Sequence, residues 1–204
     1  MKSIKREELM YNWSKSTGKM SGIPSLNTDT TTNKFCKKMA KTDTICGSCY
    51  SWRMMTTIRT NCQPRWKLNS DYLSSKVHDS EYLPKVDSIV ARFNSHGELI
   101  NREHLVNLTK ICDNQPLTTF TLFTKRKDIV QEVFKHIPIP TNMILVYSNP
   151  IIDKVSKRVP KYFHKVFNVV SKDSDIVNCR GKCIACMKCY TTTDTTEQII
   201  EKIK

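Results

Sequence analysis

The sequence predicts an α/β fold. It takes the form of a partial (β/α) barrel or a parallel sheet, with a Cys-rich N-terminal loop and a C-terminal Cys cluster. Three observations carry this. From residue 87 to residue 171, short apolar runs of strand type alternate with segments of helical spacing, the pattern of βαβ units. Three cysteines, Cys36, Cys46 and Cys49, fall in a polar stretch ahead of that pattern. Four more, Cys179, Cys183, Cys186 and Cys189, follow it. The chain thus divides into an α/β domain over residues 1–178 and a Cys-rich segment with a terminal helix over 179–204.

The elements follow in order. Residues 1–35 are rich in Thr, Asn, Ser and Lys, and NTDTTTNK at 27–34 has no periodicity, so it reads as loop. Residues 65–77 read as a helix with Trp66, Leu73 and Val77 on its apolar side. DSIVARF (87–93) is a short strand. NREHLVNLTKIC (101–112) spaces Leu105, Leu108 and Ile111 or Cys112 as a helix does, with Asn101 as N-cap. TTFTLFT (118–124) is a strand by its Thr and Phe content. KDIVQEVFKHI (127–137) puts Ile129, Val130, Val133, Phe134 and Ile137 on one helical face, and Pro138 stops it. NMILVYS (142–148) is a buried-type strand, residues 150–159 a short helix or turn, and HKVFNVVS (164–171) another strand. The last segment, TTEQIIEKI, reads as a helix capped by Asp194. His78, His104, His136 and His164 read as surface or capping residues.

Composition bounds the function. The 204 residues carry 33 Lys and Arg against 19 Asp and Glu, a formal net charge of +14, which favours an acidic partner such as nucleic acid. No run of 18 apolar residues exists, so no membrane partner is expected. The N-terminus lacks the apolar region of a secretory signal, so the expected compartment is the cytoplasm. GxGxxG and GxxxxGK[ST] are both absent, which removes nucleotide binding of those kinds.

In parallel α/β folds, ligands sit at the carboxyl ends of the strands. Here those ends read Asn94-Ser95-His96-Gly97-Glu98, Thr124-Lys125-Arg126, Ser148-Asn149 and Ser171-Lys172-Asp173. They suggest a pocket with one carboxylate, Glu98, for a ligand ammonium. Lys125, Arg126 and Lys172 would suit a carboxylate or phosphate. Arg92 shares the face of Asn94 by strand alternation.

The cysteines carry the chemistry. Nine in a chain without a secretion signal, four of them within residues 179–189, point to metal ligation rather than disulfides. The spacing C-x3-C-x2-C-x2-C lets four thiolates fold round one centre, either a [4Fe–4S] cluster or zinc. Cys46 and Cys49 form a CxxC that Cys36 could join. Three thiolates on a [4Fe–4S] cluster leave one iron open for a small ligand, as an open position does at catalytic zinc. The alternatives are one site shared by both groups, or a redox pair at Cys46 and Cys49. Cys112 reads as core and Cys62 as structural.

CGSCY (46–50), RFNSHGEL (92–99), FTKR (123–126), VYSNP (146–150) and CRGKCIACMKCY (179–190), in this order, resemble the bacteriophage gene-product-88 family. A wider similarity is to radical S-adenosylmethionine enzymes, which have a three-cysteine loop ending in an aromatic and then a strand ending in Gly-Glu. That resemblance implies a [4Fe–4S] cluster on Cys36, Cys46 and Cys49. It also implies His96, Gly97 and Glu98 near the amino group of S-adenosylmethionine, and an auxiliary cluster on the four C-terminal cysteines. Lys125 and Ser148 join His96, Gly97 and Glu98 as cofactor-binding candidates. Two expectations follow. One is a phage-type iron–sulfur protein of radical-enzyme kind, acting on a nucleic-acid or nucleotide-linked substrate. The other is a non-enzymatic basic nucleic-acid-binding protein with a structural four-cysteine site.

Overall fold

The structure is a computed structural model that describes residues 13–179, 181–191 and 195–203. One sheet organises it. Its seven strands lie in chain order: β1 (Trp13–Ser14), β2 (Ser25–Leu26), β3 (Val90–Phe93), β4 (Thr119–Thr124), β5 (Met143–Ser148), β6 (Lys165–Val170) and β7 (Gln198–Lys202). Only the β1–β2 pair is antiparallel; every other neighbour pair is parallel. The sheet is open, with β1 and β7 at its edges, so of the two expected forms the parallel sheet is present and barrel closure is not.

Strand alternation sorts the side chains onto two faces. Ala91, Phe93, Phe120, Leu122, Met143, Leu145, Tyr147 and Val166 form one buried core with α3 (Gln63–Ser75), α4 (Arg102–Asp113) and α5 (Lys127–Phe134). Those three helices therefore cover one face. The opposite face carries Val90, Arg92, Thr121, Phe123, Ile144, Val146 and Phe167, and the C-terminal cysteine segment packs on it through Cys183, Met187, Cys189 and Tyr190.

Local signals explain most boundaries. The side-chain oxygen of Asn101 accepts from the His104 amide at 3.1 Å and starts α4. Pro64 stands in the first turn of α3, where its missing N–H costs nothing. The short α1 (Lys34–Met39) is capped by Asn33, which accepts from the amides of Phe35 and Cys36. The short α2 (Tyr50–Thr56) starts at Cys49.

The structure corrects the sequence reading at several points. The final segment is the strand β7, not a helix; Asp194 lies outside the described residues. The cause is tertiary. β6 offers a free edge, residues 198–202 pair with Val166–Val170, and Ile199 is buried on the face that carries the C-terminal cysteines. Of the two forms expected for residues 150–159, the turn is present, at residues 152–153, and the helix is not. Val77 lies beyond α3 and is 41% exposed. Within 13–35 the polar stretch contains β1 and β2, each two residues long and too short to show a period. His78 and His104 are buried rather than on the surface, and His104 keeps the capping alternative, its Nδ1 accepting from the Ile100 amide at 3.3 Å.

His104 supplies a pH prediction. Burial lowers its pKa from 6.5 to about 3, so it folds in the neutral form. The unfolded chain takes up this proton below about pH 6.5, while the folded chain resists it until about pH 3. The contribution is therefore whole above pH 6.5 and erodes as pH falls, by about 1.4 kcal/mol per unit for one proton. Urea midpoints measured at pH 7 and pH 5 should drop accordingly. His104→Gln should be less stable at pH 7 and show a shallower drop; an unchanged pH dependence would contradict the assignment.

Candidate functional site

The loop after β2 is built into the protein rather than solvated. Asn27, Thr28, Asp29, Thr30 and Asn33 are all buried. They grip the loop that ends β3. Asn27 Oδ1 accepts from Ser95 Oγ at 2.6 Å and from the His96 amide at 2.9 Å. The Thr28 amide donates to the His96 carbonyl at 3.2 Å, and the Gly97 amide to Thr30 Oγ1 at 3.0 Å. Asn33 Nδ2 donates to the Glu98 carbonyl at 3.0 Å while its oxygen caps α1. Asn33 therefore ties the helix that carries Cys36 to the strand end that carries Glu98. Sequence reasoning missed these residues. Their signal was the density of short polar side chains that bond to local backbone.

Gly97 makes this fit possible. Its φ is +87°, and a Cβ there would stand 2.1 Å from Thr28 Oγ1 and 2.5 Å from the Thr28 carbonyl oxygen. Asn94 turns the chain out of β3 at φ +53°, a left-handed conformation that Asn tolerates.

Glu98 is buried and held by three donors. Its Oε1 accepts from the Leu99 amide at 2.8 Å and from Thr124 Oγ1 at 2.5 Å, and its Oε2 accepts from the Lys125 amide at 2.9 Å. The carboxylate thus bridges the ends of β3 and β4. Lys125 Nζ donates to Ser148 Oγ at 2.9 Å, which adds the end of β5.

The first three cysteines meet this group. The Cys36 thiol is pushed well up, first by burial and then by the charges of Glu98, Cys49 and Cys46, with Lys125 opposing. Burial also raises Cys46, and Lys125 pulls it back. Cys36 and Cys46 therefore each lie within electrostatic reach of Cys49, Glu98 and Lys125, and Ser148 is bound to Lys125. Two contacts shape the loop. The Ile45 amide donates to the Pro150 carbonyl at 2.9 Å, tying the loop to the end of β5. Gly47 allows a close turn, since a Cβ there would stand 2.6 Å from the Thr42 carbonyl oxygen.

The other strand-end candidates sit apart. The Arg126 side chain pairs with Asp128, reaches the carbonyls of Leu99 and Ile100 and lies over Phe35. Lys172 is exposed beyond β6. His96 is a packing residue: its ring stacks on Trp66 at 4.5 Å, and Nδ1 is 2.9 Å from Ser51 Oγ. Burial, with Arg59 and Arg92 nearby, lowers its pKa to about 4. It therefore joins α2 and α3 to the loop after β3. The Tyr50 hydroxyl donates to the Ser95 carbonyl and fixes the other end of the same loop. Cys112 is core and Cys62 is half-buried at the start of α3.

The second cysteine group lies on the face opposite the helices. Cys179, Cys183, Cys186 and Cys189 line one small apolar recess with Lys19, Met187, Tyr190 and Ile199. Cys183–Cys186 is a single helical turn, α6. Met187 follows at φ +55° and reverses the chain, and the Cys189 carbonyl accepts from Thr121 Oγ1 at 2.9 Å. Burial pushes the Cys189 thiol up to about 12, with the other three thiols adding and Arg92 opposing.

Two cations flank this recess. Lys19 Nζ donates to Cys179 Sγ at 3.1 Å, to the Cys179 carbonyl at 3.2 Å and to Glu201 at 2.8 Å. Burial lowers the Lys19 pKa, but those hydrogen bonds raise it on balance. The Arg92 guanidinium lies 3.8 Å over Phe123, and its Nε is buried without a hydrogen-bond partner among the described residues. Arg92 acts electrostatically on Tyr50, Tyr190, Cys183 and Cys189.

As they stand, no three His, Cys, Asp or Glu side chains among the described residues are arranged to hold a metal ion. The donor chemistry nevertheless suits one at the recess. Four thiols share one apolar lining beside two cations. Ligation would require these thiols to ionise, which a bound cation promotes.

Residues 4–176 match the family model described as Gene product 88. The match takes in β1 to β6, the first three cysteines and Glu98, and it ends ahead of Cys179. No curated protein and no solved structure matches the chain. No helix among the described residues is long and apolar enough to cross a membrane.

Proposed function

The chain belongs to the gene product 88 family, and from that premise we propose that it is a phage-type iron–sulfur protein. Its three-thiol group would serve a radical S-adenosylmethionine-like reaction on a nucleic-acid or nucleotide-linked substrate. One observation carries this reading. Cys36 and Cys46 each feel the charges of Cys49, Glu98 and Lys125, and Glu98 and Lys125 lie where parallel strands end, the place where such folds bind ligands.

The residues divide the work. Cys36, Cys46 and Cys49 would hold a [4Fe–4S] cluster, and such a cluster supplies an iron with one open position. Glu98 holds negative charge at the mouth for a ligand ammonium, and its orientation is set by three donors. Lys125, steadied by Ser148, offers positive charge for a carboxylate. Asn33, Asn27, Thr30 and Gly97 fix the loops that carry these groups. The C-terminal thiols would hold a second centre, a [4Fe–4S] cluster or zinc, with its negative charge balanced by Lys19 and Arg92. A soluble cytoplasmic location in the infected host is part of the same proposal.

A second reading has its own support. The C-terminal cysteines pack against the sheet beside Tyr190 and precede β7, so a metal there would staple the last strand to the core. A basic, metal-stapled nucleic-acid-binding protein would need nothing more.

The test is anaerobic incubation of iron-loaded protein with S-adenosylmethionine and dithionite. The proposal expects methionine and 5′-deoxyadenosine to be released together, with release lost in Cys46→Ser and reduced at least tenfold in Glu98→Gln. Iron-loaded protein that neither binds nor cleaves S-adenosylmethionine would sink the radical reading and leave the second one.

A further inference from the structure

The helix that carries Cys36 has a second face. At about 100° per residue, Lys34, Lys37, Lys38 and Lys41 fall within an arc of about 100° on the side away from Cys36. Lys41 belongs to this arc because Ala40 keeps helical backbone angles at the C-cap. All four lysines are exposed, while Phe35, Cys36, Met39 and Ala40 on the inner side are half-buried. None of the four makes an ion pair among the described residues. Over residues 30–62 the only acid is Asp43, against Lys34, Lys37, Lys38, Lys41, Arg53 and Arg59.

The opposite end of the sheet is different. The loop ahead of β3 mixes Lys76 and Lys85 with Asp79, Glu81 and Asp87. Solubility alone does not require one helix face to hold four unpaired lysines, because like charges so close repel and weaken the helix. An anion lying along that face relieves the repulsion.

We propose that the lysine stripe of α1 is a phosphate-gripping surface for single-stranded nucleic acid. A helix is about 10 Å across, so a strand lying on the stripe passes within about one helix diameter of the Cys36 thiol on its inner side. The aromatic neighbour of the site suits the same ligand. Tyr50 follows Cys49, the residue is 46% exposed, its ring meets His96 edge-on at 5.4 Å, and its hydroxyl is anchored on the Ser95 carbonyl. A rigid exposed ring offers a stacking platform for an unpaired base. This inference rests on the nucleic-acid part of the proposed function and not on its iron–sulfur part.

The experiment uses the full chain and a labelled single-stranded oligonucleotide at several salt concentrations. One variant carries Lys37→Gln, Lys38→Gln and Lys41→Gln. A control carries Lys76→Gln, Lys85→Gln and Lys135→Gln, which removes the same charge from exposed sites at the other ends of the strands. The stripe variant should bind at least tenfold more weakly at about 50 mM salt, and its log–log salt slope should shallow by about 2, close to 0.7 per lost phosphate contact. The control should stay within about twofold of the parent, because remote charges act only through a screened field. Bound metal should be the same in all three.

Equal losses in both variants would mean a net-charge effect and overturn the surface. Equal affinity for polyglutamate, or preference for a duplex of the same sequence, would overturn the choice of ligand. A metal-loaded parent that binds no oligonucleotide at about 50 mM salt would overturn the inference while leaving the iron–sulfur reading intact. A parent that takes up no iron or sulfide on anaerobic reconstitution yet binds through the stripe would do the reverse.

Discussion

Gly97→Ala is expected to cost about 2–5 kcal/mol of folding stability, a large part of the roughly 5–15 kcal/mol that a domain of this size has. Two terms add. A residue with a Cβ at φ +87° pays about 1–2 kcal/mol for the left-handed conformation. The new methyl also collides with the Thr28 hydroxyl and carbonyl, at 2.1 and 2.5 Å, and overpacking of this kind costs about 1–3 kcal/mol. Neither neighbour can move freely. Thr28 is buried, its amide is bonded to the His96 carbonyl, and its hydroxyl is bonded to Asn94. Urea denaturation followed by Trp fluorescence reads the loss directly, since Trp66 stacks on His96 beside the loop. A midpoint within error of the parent would show that the 27–33 and 94–98 loops are not locked together as described.

The second large effect is a division of bound metal. Cys186→Ala should remove the C-terminal centre and loosen residues 179–191 while leaving the centre at Cys36, Cys46 and Cys49 in place. Cys46→Ala should do the opposite. The reason is geometric. The first group answers to Glu98 and Lys125 at the strand ends, whereas the second shares its recess with Lys19 and Ile199 on the open face of the sheet. Metal per chain in each variant, measured after anaerobic purification, should fall by about half, with proteolytic sensitivity at 179–191 rising only in Cys186→Ala. If either substitution removed all the metal, the two groups would form one shared site.

The sheet was legible where its strands and helices are long and locally consistent. Asn101 capping α4, the Thr- and Phe-rich β4 and the apolar face of α5 follow from local rules, and the structure agrees within a few residues. β7 was not legible, because Ile199 and Ile200 suit a helix or a strand and only the free edge of β6 decides between them. β2 was hidden for a related reason. Two residues carry no period, and its parallel pairing with β3 spans more than sixty positions of chain (Leu26 to Phe93).

The candidate site was half legible. The cysteine spacings and the Gly97-Glu98 pair stand in the sequence. What brings Cys36 across a gap of nine residues to Cys46 does not, since Asn33 bonding to Glu98 and Ile45 bonding to Pro150 are long-range contacts. His96 has a second role that its sequence position hides. Its place on a strand-end loop marks it as a ligand-binding candidate, and its stacking on Trp66 makes it an anchor of that loop as well. Lys19 gained its interest only once the sheet had brought β7 and the C-terminal thiols together.

The most direct test of the iron–sulfur account is the composition of protein purified without oxygen. Iron, acid-labile sulfide and zinc should be measured per chain, together with the absorption spectrum. The account predicts iron and sulfide in equal amounts, about four of each per cluster, with broad absorption near 400 nm that bleaches on reduction. Protein that holds neither iron nor sulfide after anaerobic reconstitution, whether or not it carries zinc, would contradict it.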